Sequence, residues 1–519
     1  MFSYSILLIA ALCGAATSDP STSTDLLWPL PNGNTVGSDM YSLDSKTFMF
    51  VPAGKGGSSD VLKEALERYM KLIFLPSPVP ALASSITAPM DKLTVTVDSS
   101  DETLALNTDN SYMLDTSMSM LSAKTVYGAL KGLETFSQLV STNSMGQFQV
   151  PSFKANDVPS FLYRGFMIDT SRHFLEMKTI MDHLDAMAYS KFNVLHWHIV
   201  DDQSFPYTSI AFPAMSVKGA YDQNHIYSQD DIAQVIKYAK YRGIRVVVEF
   251  DTPGHTQSWG KGIPNLLTPC YANDKPTGTY GPINPTLDST WTFLHTFFTE
   301  IARVFPDSYI HLGGDEVSFL CWESNPDIQK WMKMMNYTNY AQLEQYYETK
   351  LLELVKTIGK QYVVWQEIFD NKLEVLPDTV IHVWKGGDNW PKEVYNITKA
   401  GLKTLLSSCW YLNYISYGED WPKYYQCDPL AFNGTAEQQA LVVGGEACIW
   451  AEYVDSTNFL PRTWPRAGAI AERLWSKTDF SDLHSATTRL HNHRCRLIVR
   501  GIPAQPPSGP SFCPHEWEE

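Results

Sequence analysis

The 519-residue sequence predicts a (β/α)8 barrel behind a small N-terminal α/β domain. Three observations carry that reading. Eight short apolar runs recur between residues 161 and 449, rich in Val, Ile and Leu, with helix-like stretches in most of the intervals. The runs barely alternate, as strands buried on both faces should not. Every run ends in polar or aromatic residues while its start does not, and a barrel gathers its active site at the C-terminal strand ends.

Residues 1–18 come first. Ser5–Cys13 is apolar, and Gly14, Ala15 and Ala16 offer a small-residue cleavage site. A signal peptide is expected, cut near Ala16 or Ser18, although no Lys or Arg occurs in the first 45 residues. No later apolar run reaches the roughly 18 residues that a membrane span requires. The sequons at Asn336, Asn396 and Asn433 agree with a soluble protein in an oxidising compartment.

Residues 19–160 read as one α/β accessory domain. Leu93–Val97 alternates like a half-buried strand, and Ala123–Val140 carries Val126, Leu130, Leu133, Phe136 and Leu139 at helical spacing. Residues 161–519 hold the barrel and a C-terminal tail. Its eight runs are Phe161–Ile168, Phe192–Val200, Ile244–Phe250, Tyr309–Leu312, Tyr362–Val364, Val380–Val383, Lys403–Ser407 and Leu441–Ile449. Met177–Ser190 and Asp230–Arg242 are the clearest crossover helices. An open doubly wound sheet is the alternative, but no G-x-G-x-x-G follows the first run.

The strand ends carry the chemistry. They read, in order, Asp169-Thr-Ser-Arg172, His198-Ile-Val-Asp201, Glu249-Phe-Asp251 through His255, Gly313-Gly314-Asp315-Glu316, Trp365-Gln-Glu367, Trp384, Trp410-Tyr411-Leu-Asn413 and Trp450-Ala-Glu452. No activated Ser or Cys stands out and no P-loop occurs, which argues against acyl and phosphoryl transfer. The charge of −16 argues against nucleic acid as a partner. Fourteen of the 15 Trp lie at or after residue 197. Paired acids between aromatic faces suit glycoside hydrolysis. Asp315-Glu316 is the candidate pair: mutual repulsion and burial should raise one pKa, and the preceding glycines allow close approach of backbone or ligand. Asp251 is expected to orient loops or Arg172, and Glu367 to support the site. His196 and His198 share one strand face; a metal pair is conceivable there, but hydrogen-bonded interior histidines are the better reading. No cofactor and no metal is expected, since no C-x-x-C pair exists.

The runs RGFMIDTSRHF, KFNVLHWHIVDDQSFPY, GIRVVVEFDTPGHTQSWG, HLGGDEV, VVWQE, WYLNYISYG and GGEACIWAEYVD resemble family 20 glycoside hydrolases, specifically the eukaryotic lysosomal-type β-N-acetylhexosaminidases, over residues 27 to 517. The resemblance implies hydrolysis of terminal β-linked GlcNAc and GalNAc with retention, in which the substrate's own acetamido oxygen attacks C1. It implies Glu316 as general acid/base, Asp315 as the group orienting the acetamido N–H, Tyr411 as donor to the acetamido oxygen, and Asp201 and His255 as support for Glu316. It implies Arg172, Asn413 and Glu452 as hydroxyl ligands and Trp365, Trp384 and Trp450 as aromatic walls. It also implies disulfides Cys270–Cys321 and Cys495–Cys513, and a homodimer. Tyr414 stands where anion-tolerant members carry an Arg, which implies neutral substrates. Cys409 and Cys427 have no family counterpart, and whether they pair stays open; Cys448 reads as a buried inert thiol. An inactive glycan-binding protein on the same fold, and a chitooligosaccharide-specialised exoenzyme, are the alternatives.

Overall fold

The computed structural model describes residues 23–77, 86–514 and 516; the expected signal peptide lies outside them. The barrel strands are Tyr163–Asp169, Val194–His198, Arg245–Glu249, Tyr309–His311, Gln361–Trp365, Val380–Val383, Lys403–Leu406 and Val442–Ile449. Each pairs in parallel with the next, and the eighth closes on the first through Gly445 opposite Arg164. Full closure removes every sheet edge.

Alternation along the strands builds the interior in layers, because residues i and i+2 share a face. One side chain from each strand forms an apolar floor: Tyr163, Val194, Val247, Tyr309, Val363, Val380, Leu405 and Val443. Two residues further along come His196, Glu249, His311, Trp365 and His382, all buried. The interior therefore changes from hydrocarbon to charge and imidazole as it rises toward the strand ends.

The outer helices include Met177–Tyr189 and Gln229–Lys240, close to the stretches read from sequence. Ser228 and Asp231 cap the second with a reciprocal capping box. The fifth crossover differs: between Trp365 and Val380 it holds only the short helix Glu367–Asp370.

The N-terminal sheet runs in the order Met49–Ala53, Lys92–Val97, Met120–Ala123, Tyr112–Asp115, Phe148–Asp157, Asn34–Leu43, Ala88–Pro89. Helix Val126–Leu139 begins at its cap Thr125 and is buried along its whole length. An ordinary surface helix buries one stripe; this one packs on its own sheet and also against the barrel. Lys131 Nζ donates to the Phe192 carbonyl at 2.9 Å. Glu134 accepts from Arg500, and Gln138 donates to the Trp28 carbonyl. Trp475, from the barrel side, belongs to the core of the N-terminal domain. Among the described residues, no helix is long and apolar enough to cross a membrane.

Candidate active site

Strand four ends at His311, and Gly313 and Gly314 follow with φ of 71° and 96°. A Cβ on Gly313 would sit 1.7 Å from Asp251 Oδ1. The close approach expected of these glycines is thus made by a carboxyl side chain: Gly314 N donates to Asp251 Oδ1 at 3.0 Å. Burial, then the charges of Asp315 and Glu249, push Asp251 well above the usual carboxylate range. Asp251 does not hold Arg172, contrary to one reading of the sequence; it orients the loop that carries the acidic pair. Asp315 is buried, whereas the Glu316 side chain is 57% exposed. Glu316 holds φ 51° and His255 holds φ 53°, and a left-handed backbone costs a non-glycine residue on the order of 1–2 kcal/mol.

A chain of alternating acids and imidazoles runs behind the pair. His255 Nε2 lies 3.7 Å from both Asp315 Oδ2 and Glu316 Oε2. Its Nδ1 donates to Asp201 Oδ1 at 3.2 Å. Burial works against charge on His255, but Asp315 and Asp201 raise it to about 9. Asp201 Oδ2 accepts from His198 at 2.8 Å and contacts Arg172 at 2.8 Å. Burial opposes its charge too, yet His198, His255 and Arg172 hold Asp201 far below the usual carboxylate range. Arg172 is fixed further by Asp169 Oδ2 at 3.0 Å and lies 4.8 Å over the Trp450 ring.

Aromatic residues close the rest. Trp365 sits 6.2 Å from Trp450 and 6.4 Å from Trp384, and Trp384 stacks on Tyr411 at 6.3 Å. Trp365 is only 1% exposed, so it forms a floor, while the partly exposed Trp384 and Trp450 present their faces. Tyr411 hangs beside strand eight: Leu412 N donates to the Cys448 carbonyl and Cys448 N to the Trp410 carbonyl. Burial pushes the Tyr411 phenol well up, so it remains a neutral donor. Asn413 is half-buried and Glu452 is exposed; the Glu452 charge acts on Arg172.

Four buried polar atoms among these residues make no hydrogen bond: Tyr411 Oη, Asp315 Oδ1, His255 Nε2 and Asn413 Oδ1. An unsatisfied buried polar atom costs about 1–3 kcal/mol. All four belong to residues at the C-terminal ends of the barrel strands, where a polar ligand would meet them.

Residues 161–478 match the model described as glycosyl hydrolase family 20, catalytic domain. The chain belongs to glycosyl hydrolase family 20. Residues 27–139 match a second model, described as beta-acetyl hexosaminidase like. The chain is 49% identical over 532 residues to beta-hexosaminidase subunit alpha of Bos taurus, covering 99% of this chain and 98% of that one. It is 47% identical to subunit beta of Homo sapiens, covering 98% and 94%. Among solved structures, a chitobiase of Flavobacterium johnsoniae superposes with a TM-score of 0.81 at 30% identity, over 92% of this chain and 73% of the other.

Family 20 motifs do not explain every buried acid here. Sequence reading gave no role to Glu249 or Glu446, although both end up within the barrel. His196 Nδ1 donates to Glu446 at 2.7 Å, and His196 Nε2 lies 3.0 Å from Glu249. His198 Nδ1 donates to Glu249 at 2.6 Å. His196, His311 and His382 lie close enough to share an ion, but the two carboxylates engage His196 on both nitrogens. The period-2 spacing of His196 and His198 was the available signal; their partners lie on other strands. Glu367 accepts from Trp384 Nε1 at 2.9 Å and pairs with Lys385 at 2.5 Å, which steadies the aromatic wall.

Cys270–Cys321, Cys409–Cys427 and Cys495–Cys513 are bonded, and Cys448 is free and buried. The pairing left open by the sequence is thereby closed. Of the sequon residues, Asn336 and Asn433 are exposed and Asn396 is half-buried in helix Trp390–Lys399.

Proposed function

We propose that the chain is an exo-acting β-N-acetylhexosaminidase that removes terminal β-linked GlcNAc and GalNAc with retention, the substrate's acetamido oxygen being the nucleophile. The observation that carries it is the set of buried polar atoms at the strand ends that make no hydrogen bond. An N-acetyl group offers one N–H and one C=O. Asp315 accepts the N–H and stabilises the positive charge that forms on the oxazolinium ring. Tyr411, kept neutral by burial, donates to the carbonyl oxygen and aims it at C1. Trp384 and Trp450 wall the group over the Trp365 floor.

Glu316 protonates the leaving oxygen, then takes a proton from the water that opens the ring. Its exposed carboxyl suits contact with the departing sugar and with solvent. His255, with Asp201 behind it, stands ready to offset the charge that Glu316 gains in the first step. Arg172, held rigid by two carboxylates, binds the 3- and 4-hydroxyls; Asn413 and Glu452 reach toward the 4- and 6-hydroxyls. Tyr414 beside Asn413 brings no cation, which favours neutral sugars over 6-sulfated ones. The residue boundaries 19–160 and 161–519 separate the accessory domain from the barrel.

The chain works in an oxidising, acidic compartment, lysosomal or extracellular. Three disulfides and two exposed sequon asparagines support this. A homodimer is the proposed assembly, and the exposed Tyr414, Ile415 and Tyr417 supply apolar surface for it. A chromogenic β-GlcNAc substrate tests the activity: no turnover at acidic pH by folded protein would leave a glycan-binding protein instead. Turnover of an equivalent substrate lacking the N-acetyl group as fast as the normal one would overturn the substrate-assisted step.

A further inference from the structure

One buried carboxylate touches both halves of the site without facing it. Glu249 ends strand three and is fully buried. Its Oε2 accepts from His198 Nδ1 at 2.6 Å, and its Oε1 accepts from the Trp365 indole N–H at 2.8 Å. His198 reaches Asp201, and through it His255 and Arg172. Trp365 is the floor under Trp384 and Trp450.

We propose that Glu249 is a positioning residue for hydrolysis: its charge holds His198 as an imidazolium, which fixes Asp201 behind the acid/base, while its second oxygen sets the Trp365 floor. With acceptors on both ring nitrogens, Glu249 and Asp201, His198 keeps both N–H groups only when protonated. Burial alone would discharge it, yet Glu249 and then Asp201 raise His198 to about 10. The other groups facing this pair are His196 from its own strand, Asp169 and Arg172 from strand one, His311 and His382 from strands four and six, and Glu446 from strand eight. His311 accepts from Gly313 N and His382 is pushed well down by burial, so neither supplies the proton that His198 holds. Each acid also meets a second cation, Arg172 for Asp201 and His196 for Glu249; of the two charges, that of Glu249 does more to keep His198 protonated.

The proposal rests on the reading of Asp201 and His255 as support for Glu316. Glu249→Gln keeps volume and an acceptor for Trp365 but removes the charge; Glu249→Asp keeps the charge and shortens the side chain. We expect kcat for a chromogenic β-GlcNAc to fall at least tenfold in Glu249→Gln, with KM within about threefold, and Glu249→Asp to retain more activity than Glu249→Gln. Equal activity of Glu249→Gln and the parent, or an order in which Gln outperforms Asp, would overturn the proposal. On the unaltered protein, 15N resonances of labelled histidine should show His198 doubly protonated at pH 7; a neutral His198 there would overturn it even if neither variant folds. Leaving-group dependence in Glu316→Gln tests the general-acid reading of Glu316 separately, because it does not involve the charge of His198.

Discussion

At the scale of single residues, the acid proposed as acid/base and the acid proposed to orient the acetamido group separate by environment. Glu316 is exposed and Asp315 is enclosed. Glu316→Gln should lower turnover by roughly 100- to 10,000-fold for a poor leaving group and much less for an activated phenol; equal losses on both would remove the general-acid assignment. Gly313→Ala should be more damaging than its size suggests. The added methyl meets the Asp251 carboxyl and the position has φ 71°. Activity should drop more than tenfold, with about 1–3 kcal/mol lost from folding, measured by denaturant midpoint beside the kinetics. Residue types and strand-end positions were legible in the sequence because a barrel sorts function to one end. The raised carboxyl at Asp251 and the charge held by Glu249 were not. Both depend on which side chains face each other across the barrel axis, and strand-local patterning carries no cross-strand distances.

At the scale of elements, the Tyr411 segment is anchored twice. The Cys409–Cys427 bond closes it, with 18 residues of separation, and Arg466 binds Asp420 as well as the Leu412 carbonyl. Closing a loop of that length contributes about 3 kcal/mol. The double variant Cys409→Ser, Cys427→Ser should unfold at lower denaturant and show raised KM for N-acetyl substrates, as the phenol loses its fixed aim. An unchanged KM would show that the Arg466 anchor suffices. Sequence placed the two cysteines on either side of Tyr411 but could not pair them, since Cα separation is a property of the folded loop. The shortened fifth crossover was equally hidden: the segment between its two strands holds only the helix Glu367–Asp370, yet composition there is not unusual.

At the scale of the whole molecule, pH should act on stability with a definite sign. His196, His198 and His255 are raised to about 9, 10 and 9, and burial raises Glu344 to about 7. A raised folded pKa stabilises fully below the unfolded value and is lost as pH rises through the folded one. Glu344 therefore gives up its contribution between about pH 4.5 and 7, and the histidines give up theirs between about 6.5 and 10. Asp201 and Glu249, held low, lose theirs only in stronger acid. Burial lowers His183 to about 3 and also lowers His311, His382, His491 and His493, and these take stability away as pH falls below about 6.5. The thermal midpoint should be highest near about pH 6–7 and fall toward pH 9, a course that a scan in matched ionic strength would read directly; a midpoint still rising at pH 9 would contradict it.

The buried helix Val126–Leu139 bears on how this protein can be handled at the bench. With both faces covered, it acts as an inner wall shared by two domains rather than as the edge of one. A gene fragment beginning at residue 161 would leave the Trp475 indole without Asp157, and Lys191 without the same carboxylate. Such a fragment should come out of cells as aggregate despite carrying the whole catalytic end of the barrel. Domain-trimming strategies that suit modular glycosidases will therefore fail here, and crystallisation or library screening must start from a chain that keeps residues 23–160 with the barrel.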